Sequence, residues 1–148
     1  MSATSTFSPR LIGETEKTLN ALLDRHLAAS DLTEQHWVTL TFAIVSGGSI
    51  NRDRLVSQVV SGAKFSEADV QARVSELVAG ELLDDSASPQ LTVTDAGAQL
   101  HAQIRAANDQ LTARLWGDLS AADLATAAGV LETVLERANA ELTQAMAR

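Results

Sequence analysis

The sequence predicts a mainly α-helical fold carrying one short two-stranded hairpin, and three observations predict it. Apolar residues recur every three or four positions in six separate segments, the spacing of helices that each bury one face. Between the fourth and fifth segments, two brief apolar runs, Leu82-Leu83 and Leu91-Thr92-Val93, flank a stretch from Asp84 to Gln90 that is a loop by composition. The last segment repeats Leu124, Ala128, Leu131, Leu135, Ala138, Leu142 and Ala145 at alternating spacings of four and three, a heptad seam.

The elements follow in order. Residues 1–9 are small and polar, end in Pro9, and read as a flexible arm. The first helix runs from Arg10 to near Ala29, with Leu11, Leu19, Leu22, Leu23 and Leu27 at helical spacing. Thr33 is placed to cap a second helix, with Glu34 in the first turn where the helix dipole favours negative charge and Trp37, Leu40, Thr41 and Ile44 along one face. Ser46-Gly47-Gly48-Ser49 stops it. Asn51 caps a short third helix carrying Leu55, Val56, Val59 and Val60, which Gly62 closes.

Ser66 and Asp69 resemble a capping box at the start of a fourth helix whose buried stripe is Val70, Val74, Leu77 and Val78. Thr94 caps a long fifth helix to about Trp116, striped by Leu100, Ile104, Ala107, Leu111 and Leu115. Gly117-Asp118 breaks it, and Ser120 starts the sixth helix. From Leu32 to Gly97 the order is that of a winged helix-turn-helix: two short helices lead into a third, then a hairpin and a new helix. The long terminal helices, over 10–30 and 96–147, are expected to form a dimerisation region, since the seam is longer than one small domain can cover.

Composition bounds the function. A chain of 148 residues is long enough to bury a core, and 45% hydrophobic residues suit a globular protein. Without cysteine there are no disulfides and no thiolate metal sites. No apolar run approaches the roughly 20 residues that span a bilayer, and the N-terminus lacks the basic and apolar regions of a secretory signal. A cytoplasmic protein without a membrane partner is the expectation. His26, His36 and His101 have no metal-ligand spacing and read as exposed helical histidines. Ser46-Gly47-Gly48-Ser49 is no phosphate loop, because no Gly-Lys-Ser/Thr follows. No catalytic constellation, metal site or cofactor is expected, and the chain does not read as an enzyme.

Three motifs resemble one family. The run from Leu32 to Leu40 resembles the start of the second helix in MarR (multiple antibiotic resistance regulator) proteins. Val93-Thr94-Asp95-Ala96-Gly97 resembles the Leu-Thr-x-x-Gly that opens their fifth helix, and Leu119-Ser120-Ala121-Ala122-Asp123 resembles their junction of fifth and sixth helices. The resemblance covers roughly Arg10 to Ala140. It implies a homodimeric winged-helix transcriptional regulator on double-stranded DNA, with residues 31–95 as the DNA-binding region. For many members it also implies a small aromatic or phenolic effector, near which His36 and Trp37 would lie. Core packing is the competing reading for Trp37.

The chemistry departs from the family. Net charge is −8, and residues 51–97 hold four basic against eight acidic side chains, net −4. Phosphate contacts supply much of the affinity for nucleic acid, so carboxylates on a reading helix oppose it. The exposed positions of the fourth helix read Glu67, Ala68, Asp69, Gln71, Ala72 and Arg73, and the shortened wing from Leu82 to Thr94 contains no Arg or Lys. DNA contacts are expected from Arg52, Arg54, Lys64, Ser66, Gln71, Arg73 and Ser75. Gln71 is suited to a bidentate contact with adenine and Arg73 to guanine or phosphate. Two alternatives stay open: Arg73 pairs with Glu76, and Arg52 and Arg54 form a solvated face. The alternative function is a MarR-like dimer with lost or weakened DNA binding, serving as a ligand-binding or protein-interaction module.

Overall fold

A computed structural model describes residues 4–147. Of the arm expected over residues 1–9, residues 1–3 lie outside the described residues, while residues 4–7 carry no regular structure. The first helix begins earlier than expected, because Ser8 caps it and Pro9, with its preset φ and missing N–H, fits the first helical position. The elements are α1 (Pro9–Leu27), a 3-10 turn (Ala28–Ser30), α2 (Glu34–Val45), β1 (Ser49–Asn51), α3 (Arg52–Ala63), α4 (Glu67–Ala79), β2 (Leu83–Asp84), β3 (Gln90–Val93), α5 (Asp95–Trp116) and α6 (Ala121–Met146). The fold is the winged helix predicted, with six α-helices among the described residues.

The hairpin has a third strand that the sequence did not announce. β3 lies between β1 and β2 in an antiparallel sheet, with Ile50 opposite Leu91 and Leu83 opposite Val93. Gly47 and Gly48 both take positive φ, which glycine adopts without steric cost, and the turn they make brings Ser49–Asn51 back along β3. Asn51 ends β1 and also caps α3, its Oδ1 accepting from the backbone N–H groups of Asp53 and Arg54.

The chain divides into two compact units, Met1–Asp109 and Gln110–Arg148. In the first, one apolar core joins Leu40 and Ala43 of α2, Ile50, the Leu55, Val56 and Val59 row of α3, the Val70, Val74 and Leu77 row of α4, and Leu83 and Leu91 of the sheet. Each Val, Leu or Ile side chain among them contributes roughly 1.5–3 kcal/mol on burial. A second cluster holds Leu23 and Leu27 of α1 with Ile104 of α5, packed by Leu32, Trp37 and Leu100. α2 serves both cores: its buried residues, His36, Thr39, Leu40 and Ala43, form one face that is displaced by a position from the expected Trp37, Leu40, Thr41 and Ile44, while Trp37 packs against the second cluster.

The start of α5 explains the Thr94-x-x-Gly97 spacing. The Thr94 hydroxyl donates to the Glu81 carbonyl at 2.7 Å and accepts the Gly97 N–H at 3.0 Å. A Cβ on Gly97 would stand 2.3 Å from the Leu82 carbonyl oxygen, so only glycine lets the helix pass this close to the backbone that leads into β2. In the second unit, Ser120 caps α6 by accepting from the Asp123 N–H, and none of the described α6 residues is buried.

Candidate nucleic-acid interface

Helix α4 is built to sit on a core and show its other side. Val70, Val74 and Leu77 fall on one stripe and are buried, which turns Ala68, Ala72, Ser75 and Ala79 outward as a face of small side chains. Ser66 caps it, its Oγ accepting from the Asp69 N–H at 3.1 Å. The reciprocal half of the expected capping box is missing: among the described residues nothing donates to the Asp69 carboxylate, one methylene shorter than the usual Glu. Asp69 is exposed and its charge remains on the helix.

The two flanks of α4 hold the expected contact residues in separate groups. On one flank, Arg52 crosses from the start of α3. Its Nε donates to Gln71 Oε1 at 3.0 Å, and its terminal nitrogen donates to the Gln71 carbonyl at 3.3 Å and to Ser75 Oγ at 3.0 Å. The Arg52 backbone N–H donates to the Pro89 carbonyl at 2.9 Å, tying the same residue to the wing. The reading of Arg52 as a merely solvated side chain is overturned by these bonds.

On the other flank, Arg73 Nε lies 3.1 Å from Glu76 Oε2, the pairing weighed as its alternative. The distance suits an ion pair, but Nε makes no aligned hydrogen bond and is itself buried. The same carboxylate oxygen lies 2.5 Å from His36 Nε2. His36 Nδ1 accepts the Thr33 backbone N–H at 3.0 Å, so the proton of the neutral ring sits on Nε2 and is donated to Glu76. Thr33, His36, Glu76 and Arg73 thus form one chain from the cap of α2 to the flank of α4. Arg73 also borders an open depression of about 410 Å³ lined by Asp24, Leu32, Thr33, Glu34 and Gln35. Burial, then the carboxylates of Glu16 and Asp24, push the Glu34 carboxyl above its usual range.

The remaining cations are simpler. Lys64 closes α3 in the left-handed conformation, and its Nζ donates to the Ser61 carbonyl. Arg54 is exposed, and its side chain has no hydrogen bond or ion pair among the described residues. The wing carries acid instead of base. Asp84 accepts from the Ser86 N–H at 2.9 Å and from the Ser86 hydroxyl at 3.0 Å, so this carboxylate shapes the tight turn.

His36 and Trp37 are both committed to the protein. His36 is buried and bonded at both nitrogens. Trp37 stacks on His101, with ring centroids 4.3 Å apart at 10°. The Thr41 hydroxyl donates to the Trp37 carbonyl and so accepts from His101 Nε2, at 3.0 Å. The expectation of exposed histidines fails for His36 and His101: each replaces water with a specific partner from another helix, a pairing that spacing along the chain does not reveal. Burial, reinforced by Arg105, lowers the His101 pKa below its usual value. Among the described residues no group of three acidic, His or Cys side chains is placed to hold a metal, and no helix is long and apolar enough to cross a membrane.

A helix-turn-helix family model matches residues 19–145. No curated protein matches the chain. Among solved structures, a MarR family transcriptional regulator from Silicibacter pomeroyi is 21% identical, with 88% of each chain covered and a TM-score of 0.73. A mutant MarR from E. coli complexed with operator DNA is 20% identical over 85% of this chain and 91% of its own, at 0.68. An organohalide-sensing transcriptional regulator in its 2,4-dichlorophenol-bound form is 12% identical over 86% of this chain and 77% of its own, at 0.71. At these identities the likeness is one of fold.

Proposed function

The chain belongs to the helix-turn-helix family, and on that premise we propose that it is a MarR-type transcriptional regulator that binds double-stranded DNA as a homodimer. The observation that carries this reading is the α3–α4 pair with its wing. α4 is clamped on one side by Val70, Val74 and Leu77 and offers small residues on the other, so its backbone can approach a major groove closely. Arg54 at the start of α3, and Lys64 with the Ser66 cap at the α3–α4 turn, anchor phosphates; Arg52 and Gln71 with Ser75 serve the wing side of α4, and Arg73 reaches DNA by leaving Glu76. The structural neighbour on operator DNA shows that this fold supports such a complex in that protein.

Residues 10–30 and 96–147 form the dimerisation region and residues 31–95 the DNA-binding region, with 1–9 as an arm. The α6 seam supports the dimer: Leu131 is 46% exposed, Leu135 60% and Leu142 50%, although all three are large and apolar. Two recognition helices then meet successive grooves about 34–36 Å apart on a pseudo-palindromic site. A small aromatic effector, as in the dichlorophenol-bound neighbour, acts by changing that spacing. Its site lies beside His36 and Trp37, where the depression bordered by Arg73 reaches the α2 cap.

The test is a gel shift at low salt with the DNA upstream of its own gene, using Arg73→Ala as control. Binding by the wild type and weaker binding by Arg73→Ala support the reading. If the wild type binds nothing there, the regulator reading fails and the dimer is a ligand-binding or protein-interaction module, the function that the Arg73–Glu76 tie would then serve.

A further inference from the structure

Resting on the reading of α4 as a DNA-reading helix, we propose that Arg52 is a positioning residue that sets the base preference of Gln71, turning it from adenine toward guanine or thymine.

A guanidinium has donors only, so the group of Gln71 that faces Arg52 Nε must be the amide oxygen. This fixes the amide without relying on the usual ambiguity between its oxygen and nitrogen. The second arm of Arg52 holds the Gln71 carbonyl and Ser75 Oγ, and its backbone N–H is held by Pro89 of the wing. Arg52 is therefore held by four hydrogen bonds, two to Gln71 and one each to Ser75 and Pro89. Among the described residues no acceptor takes the Gln71 Nε2 hydrogens, and Nε2 is not among the buried unpartnered atoms, so the NH2 group is what Gln71 offers outward.

The bidentate contact of glutamine with adenine needs both ends of the amide: oxygen to accept from N6 and nitrogen to donate to N7. With its oxygen committed to Arg52, Gln71 presents donors alone. In the major groove, guanine offers two acceptors (N7 and O6) and thymine offers O4, whereas adenine sets its own N6 donor against the amide NH2. Removing Arg52 frees the amide to pivot and regain adenine.

Selection from a random duplex pool with the full chain tests this. Gln71→Ala first identifies the base pair that Gln71 reads, as the position whose preference vanishes. The wild type is expected to favour guanine or thymine there, and Arg52→Met to shift the ratio toward adenine by about fivefold or more, the low end of discrimination by one bidentate contact. Other positions should be unchanged. Arg52→Lys, which keeps the charge but not the fork, should shift it in the same direction, separating positioning from phosphate binding. A uniform loss of affinity with an unchanged motif overturns the proposal, as does a wild-type preference for adenine at that position. NMR of the Gln71 side-chain amide in the free protein separates this from the function itself. An amide whose shift and exchange do not respond to Arg52→Met overturns the positioning claim even if DNA binds. A responsive amide in a protein that enriches no sequence sinks the regulator reading and takes the base preference with it.

Discussion

Helices α4 and α6 carry apolar stripes of similar regularity, and the structure treats them differently. In α4, Val70, Val74 and Leu77 are buried within the first unit. In α6, Leu131, Leu135 and Leu142 stand at least 46% exposed, and the described helix buries no residue over its length from Ala121 to Met146. A periodic stripe says that a face seeks cover and does not say from where. The α4 stripe is satisfied by its own chain, and the exposed α6 stripe is the face that the proposed dimer would cover.

The comparison breaks first at Leu77. Truncating it to Ala removes a fully buried side chain, and Leu→Ala changes in cores cost about 2–5 kcal/mol, which a denaturant titration reads as a lower midpoint at unchanged slope. Leu135→Asp makes the opposite kind of change. It should leave the melting of the first unit nearly untouched but raise the dimer dissociation constant by about tenfold or more, because a charge is expensive to bury unpaired. Sedimentation velocity reads this directly; an unchanged mass with a lowered melting point would mean that α6 is covered by its own chain.

A smaller effect sharpens the account of the first unit. Burial, with Arg105, favours the neutral ring of His101, so its folded pKa lies below the unfolded value of about 6.5. The unfolded ring takes its proton first as pH falls. The stability from this site is then full above that unfolded value and lost as pH drops toward the folded one. Unfolding midpoints at pH 7.5 and 6.0 should fall more for the wild type than for His101→Gln. Equal falls would show that the stacked, Thr41-bonded ring contributes nothing to the pH dependence.

Most of the fold was legible because it rests on local signals. The caps Ser66, Thr94 and Ser120, the buried rows of α3 and α4 and the break at Gly117 lie close to where the sequence puts them, whereas of the stripe expected on α5 only Ile104 is buried. β1 was not legible: three residues make too short an alternation, and its strand character comes from pairing with β3 about forty positions away. The site was legible as composition and not as pairing. The sequence shows Arg52, Gln71, Arg73, Ser75 and His36, and the expected Arg73–Glu76 spacing is realised. That Glu76 is shared with a buried His36, and that Arg52 holds Gln71 and Ser75, follows from helices crossing in space. The bond from Arg52 to the Gln71 amide oxygen is likewise invisible to a reading of Gln71 as a free side chain.

The salt dependence of duplex binding tests the central claim most directly. Four cations lie on α3, α4 and the turn between them in each protomer of the proposed dimer: Arg52, Arg54, Lys64 and Arg73. Arg52 and Arg73 are held within the protein, and the wing adds none. At about −0.9 per phosphate neutralised, a dimer using all eight cations gives a slope of log K against log salt no steeper than about −7, and one using only Arg54 and Lys64 gives about −4. A measured slope between these values is the prediction. A slope of about −9 or steeper, requiring ten or more phosphate contacts, would contradict an interface built on these few residues.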